Sequence, residues 1–445
     1  MLEGGIRGGS RDGRQSWAEA AMIGRREWFR KAIAHALAAW GASRAGGLSS
    51  LAMGQSTPSK KGTSNRYTVR KPALSKSKSS TRTSADLGML PIRADEQLGK
   101  LLELIRDAHH LPGMIGGIVR GDTLASIGAA GIRKIGSAEP MQVQDQVHIG
   151  SCTKAMTATL IGMLVDDGLL TWSSTIRDVF PEVASRLHPD FQRATLADLL
   201  THRAGLPHDT SWGRLPGLTT TDQRRAALLS LLSKPPLTRP GTVYAYSNAG
   251  YVMAGLMAEQ VTGQSWEELI QQRLFEPLGM KSAGFGPPGQ SDRDRIDQPW
   301  GHREMFGRFE PVLRVNAPCM GPAGTVHCSV PDWGKFAALH LRGAEGKARL
   351  LKPATFRTLH TPPPGCNYAG GWTVVERSWA GGRTLSHNGS NTYWYASIWI
   401  IPAFDVATLV ATNQAGSAAE TACEDATQDL INYATDLHRA RGIRR

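Results

Sequence analysis

The chain has 445 residues, 41% of them hydrophobic, so it is long enough to bury a large core in one large domain or two closely packed ones. Residues 1–95 carry 17 Lys and Arg against 6 Asp and Glu, whereas the net charge of the whole chain is +13. The rest of the chain is therefore nearly neutral, which argues against a nucleic-acid-binding domain there. The sequence also contains no phosphate-binding loop, dinucleotide fingerprint or internal repeat.

The basic N-terminal segment resembles an export signal. Arg25 and Arg26 precede a short, mildly apolar stretch over residues 32–40, as in twin-arginine leaders, and Met22 is an alternative start. An amphipathic or disordered basic leader is the alternative interpretation. We expect a leader over residues 1–53 that contacts the membrane or the export machinery transiently, and hence a periplasmic or secreted protein.

A change of composition follows the leader. Residues 54–88 are rich in Ser, Thr, Lys and Arg and poor in apolar residues, which is typical of a disordered linker. We therefore expect one folded domain over residues 89–440.

Ser151 and Lys154 form a Ser-x-x-Lys pair at the start of an apolar, helix-like run over residues 155–165. Residues three apart on a helix share a face, so the amine can take the proton of the hydroxyl. A helix start also offers backbone N–H groups and a positive dipole end to a developing oxyanion. The spacing alone decides nothing, because Ser75 and Lys78 repeat it in the basic tract, and a capping serine beside a lysine is the structural alternative.

Tyr246 and Asn248 lie at a turn before a second apolar, helix-like run over residues 252–261. A tyrosine hydroxyl beside a lysine can act as acid or base, and an asparagine amide can orient that lysine and bind a substrate amide or ester. The structural alternative is a buried tyrosine whose hydroxyl is satisfied by a turn asparagine.

His387, Asn388, Gly389 and Ser390 precede an aromatic and β-branched run that predicts a strand. Glycine in such a strand permits a close approach of the backbone to a ligand. A histidine with a purely structural role is the alternative. With an ordinary pKa of about 6.5, His387 would be mostly neutral at pH 7 and would become charged toward pH 6.

Together these motifs resemble the serine β-lactamase-like family, in the branch that contains class C β-lactamases, D-alanyl-D-alanine peptidases and related esterases. The resemblance extends over about residues 89–440. Residues 112–131 are similar to the family's opening hairpin, and residues 199–207 (LLTHRAGLP) are similar to its LLTHxSGLP signature, with Ala204 in place of the usual serine. Residues 275–280 and the glycine-rich strand start over residues 321–326 also fit.

The resemblance implies a role for each motif residue. Ser151 would be the acylated nucleophile and Lys154 its proton acceptor. Tyr246 would relay protons to the leaving group and activate water for deacylation, and Asn248 would contact the substrate. The backbone N–H groups of Ser151 and Ser390 would form the oxyanion hole.

The third motif separates the branches of the family. His387 would line the pocket, and Gly389 would let the strand pass close to the substrate. Class C β-lactamases usually carry Lys-Thr-Gly here, whereas His-x-Gly is more typical of some peptidases and esterases. We therefore expect a serine acyl hydrolase that forms an acyl-enzyme on an ester, amide or D-amino-acid peptide. Its substrate would be a small molecule or a peptidoglycan-like compound. The alternatives are a penicillin-recognising sensor or binding protein with little turnover, and a class C-like β-lactamase.

No cofactor, metal site or nucleic-acid partner is expected, and the five cysteines show no paired spacing. Cys152 is expected in the core, because it points about 100° around the helix from Ser151. The pattern predicts strands near residues 114–135 and 371–412, a mostly helical region over about 170–310, and a closing helix over about 418–439. This order and the resemblance both indicate an α+β fold, in which an antiparallel sheet flanked by helices meets a mostly helical subdomain at the active site.

Overall fold

A computed structural model describes residues 94–213, 217–289, 295–305 and 307–440, with the side chains of 436–440 left aside. The expected leader over residues 1–53 and linker over residues 54–88 lie outside the described residues. None of the helices in the described part of the chain combines the length and apolarity needed to cross a membrane.

The described residues form strands and helices in the predicted order. The strands are β1 Gly113–Arg120, β2 Thr123–Gly131, β3 Gln146–His148, β4 Gly284–Phe285, β5 Gly301–Met305, β6 Arg308–Val312, β7 Val326–Ser329, β8 Thr373–Arg377, β9 Gly382–Ser390, β10 Tyr395–Ile401 and β11 Val406–Thr412. The helices are α1 Glu96–Ala108, α2 Thr153–Asp166, α3 Ile176–Val179, α4 Pro189–Gln192, α5 Leu196–Leu200, α6 Thr220–Leu232, α7 Asn248–Thr262, α8 Trp266–Ile270, α9 Glu276–Leu278, α10 Gly321–Gly324, α11 Val330–Ala344, α12 Pro353–Leu359 and α13 Ser417–Ala440.

The main sheet joins the two ends of the domain. Its strand order is β2-β1-β11-β10-β9-β8, and every neighbouring pair is antiparallel. The register of β1 on β11 pairs Met114 with Thr412 and Arg120 with Val406. β2 pairs with its neighbour in sequence, but β1 pairs on its other edge with a strand about 290 residues later in the chain, a long-range contact that is slow to form.

Alternation along the strands gives the sheet two apolar faces. Met114 and Ile118 of β1 point to one face, which α1 and α13 cover with residues such as Leu98 and Leu430. Ile115, one residue along, points to the other face and joins the larger core that contains α2, α7 and α11. The predicted α+β class is confirmed, since the sheet that these helices flank is wholly antiparallel.

The region between β3 and β7 is mostly helical, as predicted for about residues 170–310. Helices occur from Ile176 to Leu278, and the hairpin β5–β6 follows them. One local expectation is wrong in part. Residues 321–326 were expected to start a strand, but Gly321–Gly324 form the short helix α10, and the strand starts only at Val326. The backbone of α10 proves to be part of the site described next.

Candidate active site

Ser151 lies in a single 3-10 turn, Gly150–Cys152, which leads directly into α2. Gly150 has φ +49°, a left-handed conformation that glycine adopts without the usual steric cost. His148 fixes the turn from behind, because its Nδ1 accepts the Gly150 N–H at 3.1 Å. Since Nδ1 accepts, the imidazole is neutral, in agreement with its burial, which lowers the pKa of His148 to about 3.

Strand β9 passes against this turn. A Cβ atom on Gly389 would lie 2.8 Å from the backbone nitrogen of Ser151, and one on Gly150 would lie 2.7 Å from the backbone nitrogen of Ser390. Side chains are therefore excluded at both glycines. The backbone nitrogens of Ser151 and Ser390, which the resemblance assigns to the oxyanion hole, thus both lie where β9 meets this turn.

Lys154 is one turn further along and its side chain is completely buried. Its Nζ lies 3.0 Å from Ser151 Oγ, 2.7 Å from Asn248 Oδ1 and 2.8 Å from the carbonyl oxygen of Ala323 in α10. Burial lowers its pKa to about 7, although the negative charge of Asp209 opposes this shift. A large fraction of the amine is therefore neutral near pH 7, as a general base requires.

The neighbours of Lys154 also decide where its lone pair points. The oxygens of Asn248 and Ala323 can only accept hydrogen bonds, so they take the two N–H groups of the neutral amine. The remaining position, 3.0 Å away, is Ser151 Oγ. The neutral lysine is thus arranged to accept the Ser151 proton.

Tyr246 is half-buried, and its ring centroid lies 4.8 Å from Lys154 Nζ. Burial raises the pKa of its hydroxyl above the ordinary value, even though a hydrogen bond with Ser151 acts in the opposite direction. The phenol therefore stays protonated at neutral pH. It can donate or relay a proton beside Ser151, while Lys154 is the group suited to remove one.

Asn248 is the first residue of α7, and Ser247 caps that helix by accepting the Gly250 N–H with its hydroxyl. The Asn248 Oδ1 faces Lys154, and its Nδ2 donates to Asp209 Oδ2 at 2.9 Å. Asp209 was not among the residues predicted for the site. Its position two residues after the LLTHRAGLP segment is the sequence signal that could have found it.

His202, from the same segment, holds the turn that carries Tyr246. Its carbonyl oxygen accepts the Ala245 N–H at 2.8 Å, and its Nδ1 accepts the Ser247 N–H at 3.0 Å. Its ring lies 4.3 Å from the Tyr246 ring between centroids. Burial, reinforced by the charge of Lys154, holds the pKa of His202 well below its ordinary value. The imidazole is therefore neutral and holds the turn through hydrogen bonds.

His387 is buried, with only 6% of the residue exposed. Its Nδ1 donates to the carbonyl oxygen of Asn388 at 2.6 Å, and its Nε2 accepts from the Tyr368 hydroxyl at 2.9 Å. Burial, together with the nearby Lys154 charge, lowers its pKa to about 3. The expectation that His387 becomes charged toward pH 6 is therefore wrong, because a desolvated imidazole with both nitrogens bonded does not take up a proton there.

Cys152 follows the nucleophile but belongs to the core, as predicted. It is 1% exposed, and its thiol contacts the carbonyl oxygen of His387 at 3.3 Å. Burial raises the pKa of the thiol far above its ordinary range, which leaves it protonated and unreactive. All five cysteines of the chain are unpaired.

The family model described as Beta-lactamase matches residues 98–431. Penicillin-binding protein 4 of Amycolatopsis lactamdurans is 26% identical, over 74% of this chain and 87% of that protein. An unguisins hydrolase of Aspergillus campestris is 24% identical, over 72% of this chain and 61% of that protein.

The fold is also shared with solved structures. The octameric penicillin-binding protein homologue from Pyrococcus abyssi superimposes with a TM-score of 0.62 at 23% identity, covering 76% of this chain and 77% of that chain. At this identity the likeness shows the fold alone. The matched family model, which spans most of the chain and includes all the motif residues above, shows more: the chain is a member of the beta-lactamase family, whose members are serine hydrolases.

Proposed function

We propose that this protein is an acyl hydrolase that forms a covalent acyl-enzyme through Ser151 on an ester, amide or D-amino-acid peptide, with a preference for uncharged esters. The observation that carries the proposal is the arrangement of Lys154. A buried amine with a pKa of about 7 has acceptor oxygens on two sides and the serine hydroxyl on the third. This arrangement produces an activated nucleophile near neutral pH.

Acylation follows from these contacts. Ser151 Oγ bonds to the substrate carbonyl carbon as its proton passes to Lys154, and the carbonyl oxygen becomes an oxyanion between the backbone N–H groups of Ser151 and Ser390. The bond from the carbonyl carbon to the leaving oxygen or nitrogen then breaks. The leaving group takes up the proton of Lys154, relayed through the Tyr246 hydroxyl.

Deacylation repeats the same proton transfers with water. Water attacks the ester carbon of the acyl-enzyme and gives up its proton through the Tyr246 hydroxyl toward neutral Lys154. The bond to Ser151 Oγ breaks, and the serine regains a proton from Lys154. Because Tyr246 remains a phenol, it passes protons on without holding a negative charge.

The third motif supports an uncharged substrate. His387 is neutral above about pH 4 because its pKa is about 3, and both of its ring nitrogens are already bonded. It therefore offers no cation to a substrate carboxylate of the kind a β-lactam carries. We expect kcat/KM for a short-chain ester to exceed that for a chromogenic cephalosporin.

A second candidate is a penicillin-recognising protein that acylates once and turns over slowly. The observation that favours it is the similarity to penicillin-binding protein 4 of Amycolatopsis lactamdurans. Pre-steady-state kinetics with a chromogenic cephalosporin and an ester distinguish the two. An acyl hydrolase continues after the burst, whereas a binding protein stops at one equivalent of product per chain.

The proposal is tested by labelling with a fluorophosphonate and by replacing Ser151 with Ala. We expect S151A to lose labelling and ester turnover by at least about a thousandfold, since the nucleophile itself is removed. S75A is the matched control, because it removes the serine of the second Ser-x-x-Lys copy and should leave both readouts unchanged. Ester hydrolysis that persists in S151A would refute the mechanism.

A further inference from the structure

Asp209 is a carboxylate joined to the catalytic groups through one side chain. Its Oδ2 accepts from Asn248 Nδ2 at 2.9 Å and lies 3.2 Å from His208 Nδ1, and its other oxygen accepts from the indole N–H of Trp212. Burial tends to raise the pKa of Asp209, but the hydrogen bonds with His208, Trp212 and Asn248 outweigh it and hold the pKa below its ordinary value. The group is therefore an anion at neutral pH.

The anion decides which way the Asn248 amide faces. A carboxylate can only accept hydrogen bonds, so it requires the Nδ2 end of the amide, and the Oδ1 end must then face Lys154. In the reverse orientation the amide N–H groups would point at Lys154 and occupy its lone pair. That lone pair is the one needed for Ser151. Asp209 thus excludes the orientation of Asn248 that would block proton transfer.

Asp209 also acts on Lys154 through its charge. Among the described residues, it is the carboxylate whose field favours the protonated amine, against the effect of burial. The other titratable side chains around Lys154 and Asp209 are Cys152, His202, His208, Tyr246, Tyr251 and His387.

Most of these neighbours carry no charge at pH 7. Burial raises the pKa of Cys152, Tyr246 and Tyr251 and lowers that of His202 and His387. His208 is on the exposed side of Asp209, with more than half of its side chain in solvent. Replacement of Asp209 therefore removes the principal negative charge that acts on the catalytic lysine.

We propose that Asp209 is a positioning residue of this active site, which orients the Asn248 amide toward Lys154 and sets the pH range in which Lys154 can accept the Ser151 proton. The proposal rests on the proposed function, because it takes Ser151 and Lys154 as the reacting pair. It adds to the site a charged residue outside the three motifs. Its charge shifts the pH profile of the reaction in a predicted direction, which can be measured.

The test measures the rate of Ser151 labelling by a fluorophosphonate as a function of pH, in wild type and in D209N. In this reaction Ser151 Oγ bonds to phosphorus, fluoride leaves with the electron pair of the P–F bond, and the serine proton passes to Lys154. The rate therefore rises with pH as Lys154 loses its proton. It requires no knowledge of the natural substrate.

In D209N we expect two effects. The labelling rate at the high-pH plateau falls by about tenfold, because an amide at position 209 permits the reverse orientation of Asn248 and misplaces the base. The midpoint of the pH profile moves to lower pH by about half a pH unit or more, because the lysine cation loses a stabilising charge. Each labelling rate is then divided by the plateau rate of the same protein. At one pH unit below the wild-type midpoint, this ratio should be about two- to threefold higher in D209N than in wild type.

Three variants complete the design. D209E keeps the charge on a longer side chain, so its plateau falls while its midpoint stays with wild type. D209S is a second uncharged variant, which tests the same shift should D209N fold poorly. D190N is the matched control, because Asp190 also lies beside a histidine, His188, but belongs to α4 and is half-exposed.

The outcomes separate the two proposals. If wild type is not labelled at Ser151, the proposed function fails and Asp209 is irrelevant to it. If wild type is labelled but the folded uncharged variants have an unchanged or higher midpoint, the role of Asp209 is refuted while the mechanism stands. A merely structural role would lower the plateau and leave the midpoint in place.

Discussion

Two buried basic side chains, Arg224 and Lys154, hold the same short segment of the chain. Arg224 donates to the carbonyl oxygen of Cys319 at 3.0 Å, and Lys154 donates to that of Ala323 at 2.8 Å, four residues later. Neither side chain is exposed to solvent. Their immediate surroundings nevertheless differ, and the difference separates a permanent cation from an amine that titrates near neutral pH.

The difference is the presence of carboxylates in direct contact. Arg224 forms ion pairs with Glu259 and Glu267, which repay the cost of taking its charge out of water. Among the described residues, Lys154 forms hydrogen bonds only with uncharged groups, and the Asn248 amide lies between it and the Asp209 carboxylate. Burial without a contacting anion is what lowers the pKa of Lys154 to about 7. The same segment is therefore held by a permanent cation at one end and a titratable amine at the other.

The largest expected effect comes from making Lys154 resemble Arg224. In K154R the guanidinium cannot lose its proton near neutral pH, so it cannot accept one from Ser151. We expect kcat/KM for an ester to fall by at least about a hundredfold, the usual scale for loss of a positioned general base. K100R, on the exposed surface of α1, is the control and should retain activity. Substantial activity in a folded K154R would show that Lys154 is not the base.

A second variant removes the buried Arg224 cation instead. R224L leaves the carboxylate of Glu259 buried without its partner, which typically costs about 3–5 kcal/mol of unfolding free energy. R225A is the control from the next position, since Arg225 is one-third exposed and its pair with Glu182 is worth about 0–1 kcal/mol. Urea unfolding of both variants measures the difference. Equal losses would mean that the Arg224 ion pairs add nothing beyond a surface pair.

The strand and helix order was predictable because it depends on local patterns. The apolar runs after Ser151 and Asn248 do form helices, and the run after Ser390 forms β10. The start of β7 was placed too early, because the glycine-rich stretch from Gly321 is compatible with either backbone conformation. A stretch of glycine and proline carries no alternating pattern of apolar and polar side chains, so nothing in it marks the residue at which a strand starts.

The site was predictable only where side chains act through a recurring spacing. The sequence brings Ser151, Lys154 and the Tyr246 turn to attention by their motifs, and the structure places them within contact of one another. The Ala323 carbonyl could not be found, since every residue has one. Asp209 lies two residues after the LLTHRAGLP segment, but only the folded path of that loop brings its carboxylate to Asn248. His387 is hydrogen-bonded to Tyr368, which no motif includes.

The smallest expected effect concerns a third buried basic group, His387, which extends the comparison to a side chain without a contacting carboxylate. Its pKa of about 3 means that it stays neutral from pH 8 down to pH 6, while Lys154 titrates within that range. Hydrolysis of an ester and of a chromogenic cephalosporin should therefore both weaken toward pH 6, since Lys154 serves both reactions. The ratio of the two kcat/KM values should stay constant within about twofold, because no cation for a carboxylate forms at position 387.

Parallel pH profiles of the two substrates measure this ratio, with H387Q as a control that cannot titrate. A ratio that shifts toward the cephalosporin at pH 6 in wild type but not in H387Q would show that His387 is protonated and open to the substrate, contrary to its burial.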